Sequence, residues 1–153
     1  MKALLLAAGK GTRFGELTKK LPKPLIPVGG IPLIVHTLEA LPNEISECSI
    51  VLGHLGAQIR SELGIAYKNR TIIYIEQRYP GTGGALLSAR EEFRDQKDFM
   101  VLGTDDLFGK DELKNLLTFC PGYGVIHQPS PNKYQKREPV LDSSGCLTGF
   151  RDT

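Results

Sequence analysis

Five consecutive apolar residues, Ala3-Leu4-Leu5-Leu6-Ala7, run into Ala8 and then Gly9-Lys10-Gly11. An unbroken apolar run of this kind suits a central strand buried on both faces, and such strands belong to parallel sheets. The glycines that end it open a loop in which backbone can approach a ligand closely. The rest of the chain continues the pattern. Pro32 opens a predicted helix over residues 32–41, with Leu33, Ile34, Thr37 and Leu38 on one side. A strand over 49–52, a helix over 57–63 and a β-branched strand over 71–76 follow. Gly81-Thr82-Gly83-Gly84 leads into a helix over 85–93, a strand over 99–102 ends in Asp105-Asp106, and a helix over 111–117 precedes a strand over 124–127. This alternation predicts a doubly wound, mostly parallel α/β sheet with right-handed crossovers and helices on both faces. Pro129, Pro131 and Pro139 make the next segment irregular. Residues 140–150, with Asp142-Ser143-Ser144-Gly145 as a polar turn, read as a C-terminal β-hairpin.

A length of 153 residues fits one domain. Hydrophobic content of 41%, charged content of 24% and a net charge of +2 make no general case for nucleic acid. Cys48, Cys120 and Cys146 form no CxxC pair and have no metal-ligand spacing with His36, His54 or His127. They read as buried or idle thiols in a reducing compartment. The apolar run at the start is too short for a signal peptide and meets Lys10 and Arg13 at once, and no stretch approaches the roughly 20 residues of a membrane span. A cytoplasmic protein is expected. Charge is uneven, however: the first 23 residues hold Lys2, Lys10, Arg13, Lys19, Lys20 and Lys23 against Glu16 alone. That composition predicts a local anion-attracting patch.

Ligands of such sheets sit beyond the carboxyl ends of the strands. Three loops fall there: residues 8–23, 77–84 and 103–106. In the first, Gly9 and Gly11 let backbone N–H groups reach an anion, Thr12 adds a hydroxyl, Arg13 offers a planar fork for two phosphate oxygens, and Lys23 supplies a flexible point charge. A triphosphate suits this set. Two familiar phosphate loops do not fit. A Walker loop needs glycine followed by lysine, whereas Gly11 is preceded by one, and a dinucleotide fingerprint needs glycine where Phe14 stands.

Leu6-Ala7-Ala8-Gly9-Lys10-Gly11-Thr12-Arg13, then Leu17-Thr18, then Pro22-Lys23-Pro24-Leu25-Ile26-Pro27-Val28-Gly29-Gly30 closely resembles the signature of sugar-1-phosphate nucleotidyltransferases. The resemblance implies a Rossmann-like fold. It also implies attack of a sugar 1-phosphate oxygen on the α-phosphorus of a nucleoside triphosphate, with pyrophosphate leaving and Mg²⁺ assisting. Leu6, Ala8, Gly9, Gly11 and Thr12 would bind the nucleotide, Arg13 would stabilise the departing pyrophosphate, and Lys23 would contact the α-phosphate. Gly81-Thr82-Gly83-Gly84-Ala85-Leu86 resembles the family's base-recognition loop, which makes Gly81 and Thr82 nucleotide contacts and Gln77 the reader of the base. Gln77 stands one residue nearer to Gly81 than that pattern expects, so an ungapped reading puts Glu76 there, and Gln77 as a solvated strand end weighs equally. Val101-Leu102-Gly103-Thr104-Asp105-Asp106-Leu107-Phe108 resembles the metal-binding strand end, with Thr104 in place of glycine and Asp105 as the Mg²⁺ ligand. Asp106 reads as a cap for the next helix or a solvated side chain.

Residues 142–150 resemble the stretch that leads into the family's Glu-Lys-Pro element, with Asp152 near its glutamate. The family's sugar-side lysine and second metal carboxylate have no counterpart, and Tyr123-Gly124-Val125 competes with Tyr134 for a sugar-side role. The expectation is one domain, 1–153, without the family's C-terminal sugar-binding portion, working with a nucleoside triphosphate and a sugar 1-phosphate, as a homo-oligomer or with a completing chain. Two other readings stand: a noncatalytic nucleotide-binding module, and a cytidylyltransferase acting on another phosphate monoester.

Overall fold

In the computed structural model the apolar run forms β1 (Lys2–Leu6), whose Ala3, Leu4 and Leu5 are out of reach of solvent. The structure describes residues 1–118, 137–143 and 147–152, with the backbone alone for Arg13 and for residues 137–139, 141 and 147–152. The chain divides into two compact units, Met1–Leu113 and Lys114–Thr153.

In the first unit, β1 is followed by a single helical turn, α1 (Leu17–Lys20), and a small antiparallel ribbon of β2 (Pro27–Val28) and β3 (Ile31–Pro32). Next come α2 (Leu33–Ala40), β4 (Glu47–Leu52), α3 (Gly56–Leu63), β5 (Ala66–Tyr67), β6 (Arg70–Glu76), α4 (Gly81–Ser88), β7 (Phe99–Gly103) and the start of α5 (Lys110–Leu116). Five strands make one sheet in the order β5-β6-β4-β1-β7, parallel throughout except for the β5–β6 edge. The chain steps outward from β1 to β4 to β6 and then returns to the far side of β1 for β7. Strand order therefore reverses between β1 and β7, and the carboxyl ends of these two strands flank the place where open α/β sheets bind ligands.

Register explains the core. Leu6, Val51 and Ile75 stand side by side on neighbouring strands. With Leu4 they form the face that Ala85, Ala89 and Phe93 cover. Alternation along each strand sends Ala3, Leu5, Cys48, Ile50 and Leu52 to the other face, where all are buried.

Several bounds differ from the sequence reading. Pro32 lies in β3 and only precedes α2, whose buried residues include the expected Leu33, Ile34, Thr37 and Leu38. The helix expected over 85–93 instead starts within the glycine cluster at Gly81, behind an extended Pro80, and ends at Ser88. A side chain at Gly84 would stand 2.3 Å from the Tyr79 carbonyl oxygen, so glycine lets the preceding loop lie against the helix. Beyond Ser88 the chain tightens into overlapping three-residue turns, Ala89 to Leu86, Glu92 to Ala89 and Phe93 to Arg90, which still deliver Ala89 and Phe93 to the core. The two-residue strands carry too little periodicity to be read from sequence.

In the second unit, β8 (Arg137–Leu141) pairs antiparallel with β9 (Leu147–Asp152), with an irregularity at Val140 and Leu141. The strand expected over 124–127, and with it Cys120, Tyr123, His127, Pro129, Pro131, Tyr134 and Cys146, lies outside the described residues. Among the described residues no helix is long and apolar enough to cross a membrane.

Candidate active site

The ladder of β1 reaches one residue past the strand, where Ala7 N–H bonds to Val51 O at 3.0 Å, and then stops. The N–H groups of Ala8, Gly9, Lys10 and Gly11 donate to no acceptor among the described residues. Successive unspent backbone donors at a strand end are groups from which an anion-binding concavity can be built. Two glycines shape this stretch. A side chain at Gly53 would stand 2.6 Å from Ala8 O, so the β4–α3 loop presses directly on this backbone. Gly11 takes the left-handed conformation at φ 62°, and its carbonyl accepts from Phe14 N–H at 2.9 Å and from the Thr18 hydroxyl at 3.0 Å. A tight turn over Thr12–Phe14 follows, with Thr12 exposed and Arg13 at its centre.

Lys23 comes from a second tight turn, Lys23–Leu25, entered through an extended Pro22 and anchored by buried Pro24 and Leu25. Its ammonium sits 5.2 Å from the centre of the Phe14 ring and donates to Asp105 Oδ2 at 2.6 Å. The Asp105 side chain is 44% exposed and that of Lys23 19%, so the pair is worth about 0–1 kcal/mol, and a ligand can open it at small cost.

Asp105 is placed by the residues before it. Thr104, 2% exposed, donates its hydroxyl to Leu6 O at 3.0 Å and stitches the end of β7 to the end of β1. A side chain at Gly103 would stand 2.8 Å from Asp105 Oδ1 and 3.4 Å from Asp106 Oδ2, so both carboxylates lie over that glycine. Asp106 is exposed, while the entry to α5 is met by Glu112, which accepts from Gly109 N–H at 3.0 Å. Among the described residues no group of three or more His, Cys, Asp or Glu could hold a metal. Asp105 and Asp106 offer hard oxygen donors that suit Mg²⁺, which takes one or two carboxylates and completes its shell with water and phosphate oxygens.

The third loop is tied to itself. Gln77 N–H bonds to Leu52 O at 2.8 Å, and the Gln77 side-chain amide donates to Tyr79 O at 2.6 Å and Gly81 O at 3.0 Å. Both of its donors are thus spent within the loop, and its Oε1 has no partner among the described residues. Ser88 accepts from Arg78 N–H and donates to Gly84 O, each at 2.8 Å, and so holds the loop onto α4. Thr82 is exposed in the first turn of that helix. Glu76, the ungapped alternative to Gln77, pairs with Arg60 at 3.0 Å, and Arg60 in turn lies over the Tyr74 ring.

The basic patch is smaller than composition suggests. Lys2 lies at the opposite end of β1 from the loop, 2.5 Å from Glu47 and 2.8 Å from Glu92, and these carboxylates hold its ammonium above the usual pKa. Lys19 is taken by Glu16 at 2.5 Å. Side-chain supports of the loop were missed in the sequence because they act on backbone atoms. His54 Nε2 meets Thr18 O at 3.2 Å, and Gln58 donates to Lys20 O at 3.1 Å, so both hold α1. His36 likewise bonds to Val28 O at 2.9 Å. Burial pushes the Cys48 thiol up to about 11, which keeps it an inert apolar group.

Residues 2–126 match the family described as nucleotidyl transferase. The chain belongs to the nucleotidyl transferase family. The chain is 36% identical over 137 residues to "Bifunctional protein GlmU" of Methanococcus maripaludis, which covers 88% of the chain and 31% of that relative. It is 33% identical over 156 residues to "CMP-5'-(3-aminopropyl)phosphonate synthase" of Streptomyces rubellomurinus, covering 99% of the chain and 24% of that relative. Among solved structures, a Bacillus anthracis protein provisionally assigned as a glucose-1-phosphate thymidylyltransferase and solved with sucrose superposes with a TM-score of 0.70 at 29% identity, over 78% of this chain and 50% of that one. The chain spans less than a third of the length of these two curated relatives.

Proposed function

We propose that this chain carries the nucleotide-binding half of an enzyme that transfers a nucleoside monophosphate from a nucleoside triphosphate to a sugar 1-phosphate and releases pyrophosphate. One observation carries the reading: the unspent N–H groups of Ala8 to Gly11 and the Lys23–Asp105 pair meet at the reversal point between β1 and β7. We further read the sheet as Rossmann-like and doubly wound, because right-handed crossovers combined with that reversal put helices on both faces.

In this reading the loop N–H groups and the Thr12 hydroxyl hold the phosphates, and Arg13 grips the oxygens that leave as pyrophosphate. Lys23 lets go of Asp105 and follows the α-phosphate, as a flexible ammonium can. Gln77 turns Oε1 to the base, with Gly81 and Thr82 beside it. Asp105, with Asp106 next to it, would hold Mg²⁺, which neutralises phosphate charge and makes the α-phosphorus more electrophilic. Positioning and charge neutralisation do the work here, and no covalent catalyst is required.

A second reading changes the acceptor. The match over 99% of the chain to a relative named for a CMP-phosphonate product favours testing phosphonates beside sugar phosphates. The deciding experiment measures pyrophosphate release over a matrix of ATP, CTP, GTP, UTP and dTTP against sugar 1-phosphates and alkylphosphonates, with Mg²⁺. Release with sugar 1-phosphates supports the first reading, and release with phosphonates alone replaces it by the second. Triphosphate binding without release from any pair would make the chain a nucleotide-binding unit that does not turn over by itself.

A further inference from the structure

Thr18 is 4% exposed, is charged with no role by the reading above, and sits under the phosphate loop. Its hydroxyl approaches Gly11 O at 3.0 Å and Gly15 O at 3.3 Å, the carbonyls of two glycines that both have positive φ. Its methyl carbon lies 2.9 Å from where a side chain at Gly11 would begin. In a trans peptide the C=O and the following N–H point opposite ways. Holding Gly11 O down on Thr18 therefore turns the next N–H, that of Thr12, away from Thr18. Gly11 O also accepts from Phe14 N–H, so both its lone pairs are used and its direction is fixed. Thr18 is itself pinned through its own carbonyl by His54 Nε2, which must carry the proton because a carbonyl only accepts. Gln58 fixes Lys20 O in the same turn.

We infer that Thr18 is a positioning residue for the triphosphate: its hydroxyl, anchored from the β4–α3 loop by His54, sets the orientation of the Gly11–Thr12 peptide and so presents the Thr12 N–H to the phosphates beside the donors of Ala8 to Gly11. The inference rests on the proposed triphosphate site, and the test separates the two. Titration calorimetry with Mg²⁺ compares the best-bound triphosphate of the five above with its monophosphate, on the full chain, alongside melting temperatures. Thr18→Val keeps the shape and removes the hydroxyl, and Thr18→Ser keeps the hydroxyl and removes the methyl. Thr18→Val should weaken the triphosphate about five- to tenfold, the size of one lost hydrogen bond, and the monophosphate no more than about twofold. Thr18→Ser should bind the triphosphate like the wild type even if its melting temperature falls. Equal affinity of wild type and Thr18→Val overturns the inference, and so does a loss in Thr18→Ser that matches the loss in Thr18→Val. If Thr18→Val does not fold, Thr18→Ser decides alone, with wild-type affinity supporting the inference and a fivefold loss overturning it. A wild-type chain that binds no triphosphate overturns the functional reading, and this inference with it.

Discussion

Gly11→Ala puts the two constraints on the loop after β1 in conflict. At φ 62° a residue with a side chain is strained by about 1–2 kcal/mol. The new methyl would also lie 2.9 Å from Thr18 Cγ2 and 3.3 Å from Lys23 Cβ. Thr18 is nearly fully buried and bonded at both its hydroxyl and its carbonyl, so it cannot swing aside, and the overpacking adds at least about 1 kcal/mol. The sum, about 2–4 kcal/mol, must appear somewhere. If the loop holds its conformation, the melting temperature falls by about 4–16 °C for a chain of this size. If the loop relaxes instead, stability is spared and triphosphate affinity drops by about 30-fold or more. Gly9→Ala is the control, because a side chain there meets nothing within 4 Å and the backbone is not left-handed. It should leave the melting temperature within about 1–2 °C of the wild type. Calorimetric melting and triphosphate titration of both variants read out the two routes. A Gly11→Ala chain with wild-type melting and wild-type affinity refutes the reasoning.

Asp105→Asn should remove most of the Mg²⁺ dependence of triphosphate binding while moving ligand-free melting by less than about 4 °C, because the pair with Lys23 is half-exposed; an unchanged metal dependence by titration would move the metal elsewhere. Arg13→Lys should weaken triphosphate binding more than monophosphate binding, since a point charge cannot reproduce a fork on two oxygens; equal losses would take Arg13 out of the pyrophosphate role. Burial raises the Cys48 thiol from 9.0 to about 11, so the folded chain keeps a proton that the unfolded chain loses. Its contribution is whole below pH 9 and is lost as pH rises towards 11, so urea unfolding should show a fall in stability across that window that is shallower in Cys48→Ala. Identical slopes would show that the thiol does not titrate there.

Legibility followed the length scale of the interaction. β1 could be read because five adjacent apolar residues allow few alternatives, and β4, β6 and β7 because apolar and β-branched runs end in polar or glycine loops. The glycine-rich, cationic character of the loop after β1 was legible because its glycines and cations are contiguous. The contact between Lys23 and Asp105 was not, since it depends on β1 and β7 being neighbours in the sheet. Nor were the tasks of Thr18, His54, Gln58 and Thr104, whose polar groups bond to distant or local backbone that has no sequence signature. Composition counted Lys2 with the anion patch, although strand direction puts it at the wrong end of β1 beside Glu47 and Glu92. Local propensity placed the helix start after the glycine cluster, whereas the cluster itself forms the first turn of α4 because the 77–80 loop must pass so close to Gly84.

The central claim is that the loop after β1 binds a triphosphate in partnership with Lys23. Titration calorimetry of the wild-type chain and of Lys23→Ala, with each of the five triphosphates and Mg²⁺, tests it most directly. The account predicts one-to-one binding of at least one triphosphate by the wild type below millimolar Kd, and an affinity at least about tenfold weaker in Lys23→Ala, the loss of one charge-assisted phosphate contact. Absence of heat from all five at millimolar concentration, or equal affinity in the two chains, would contradict it.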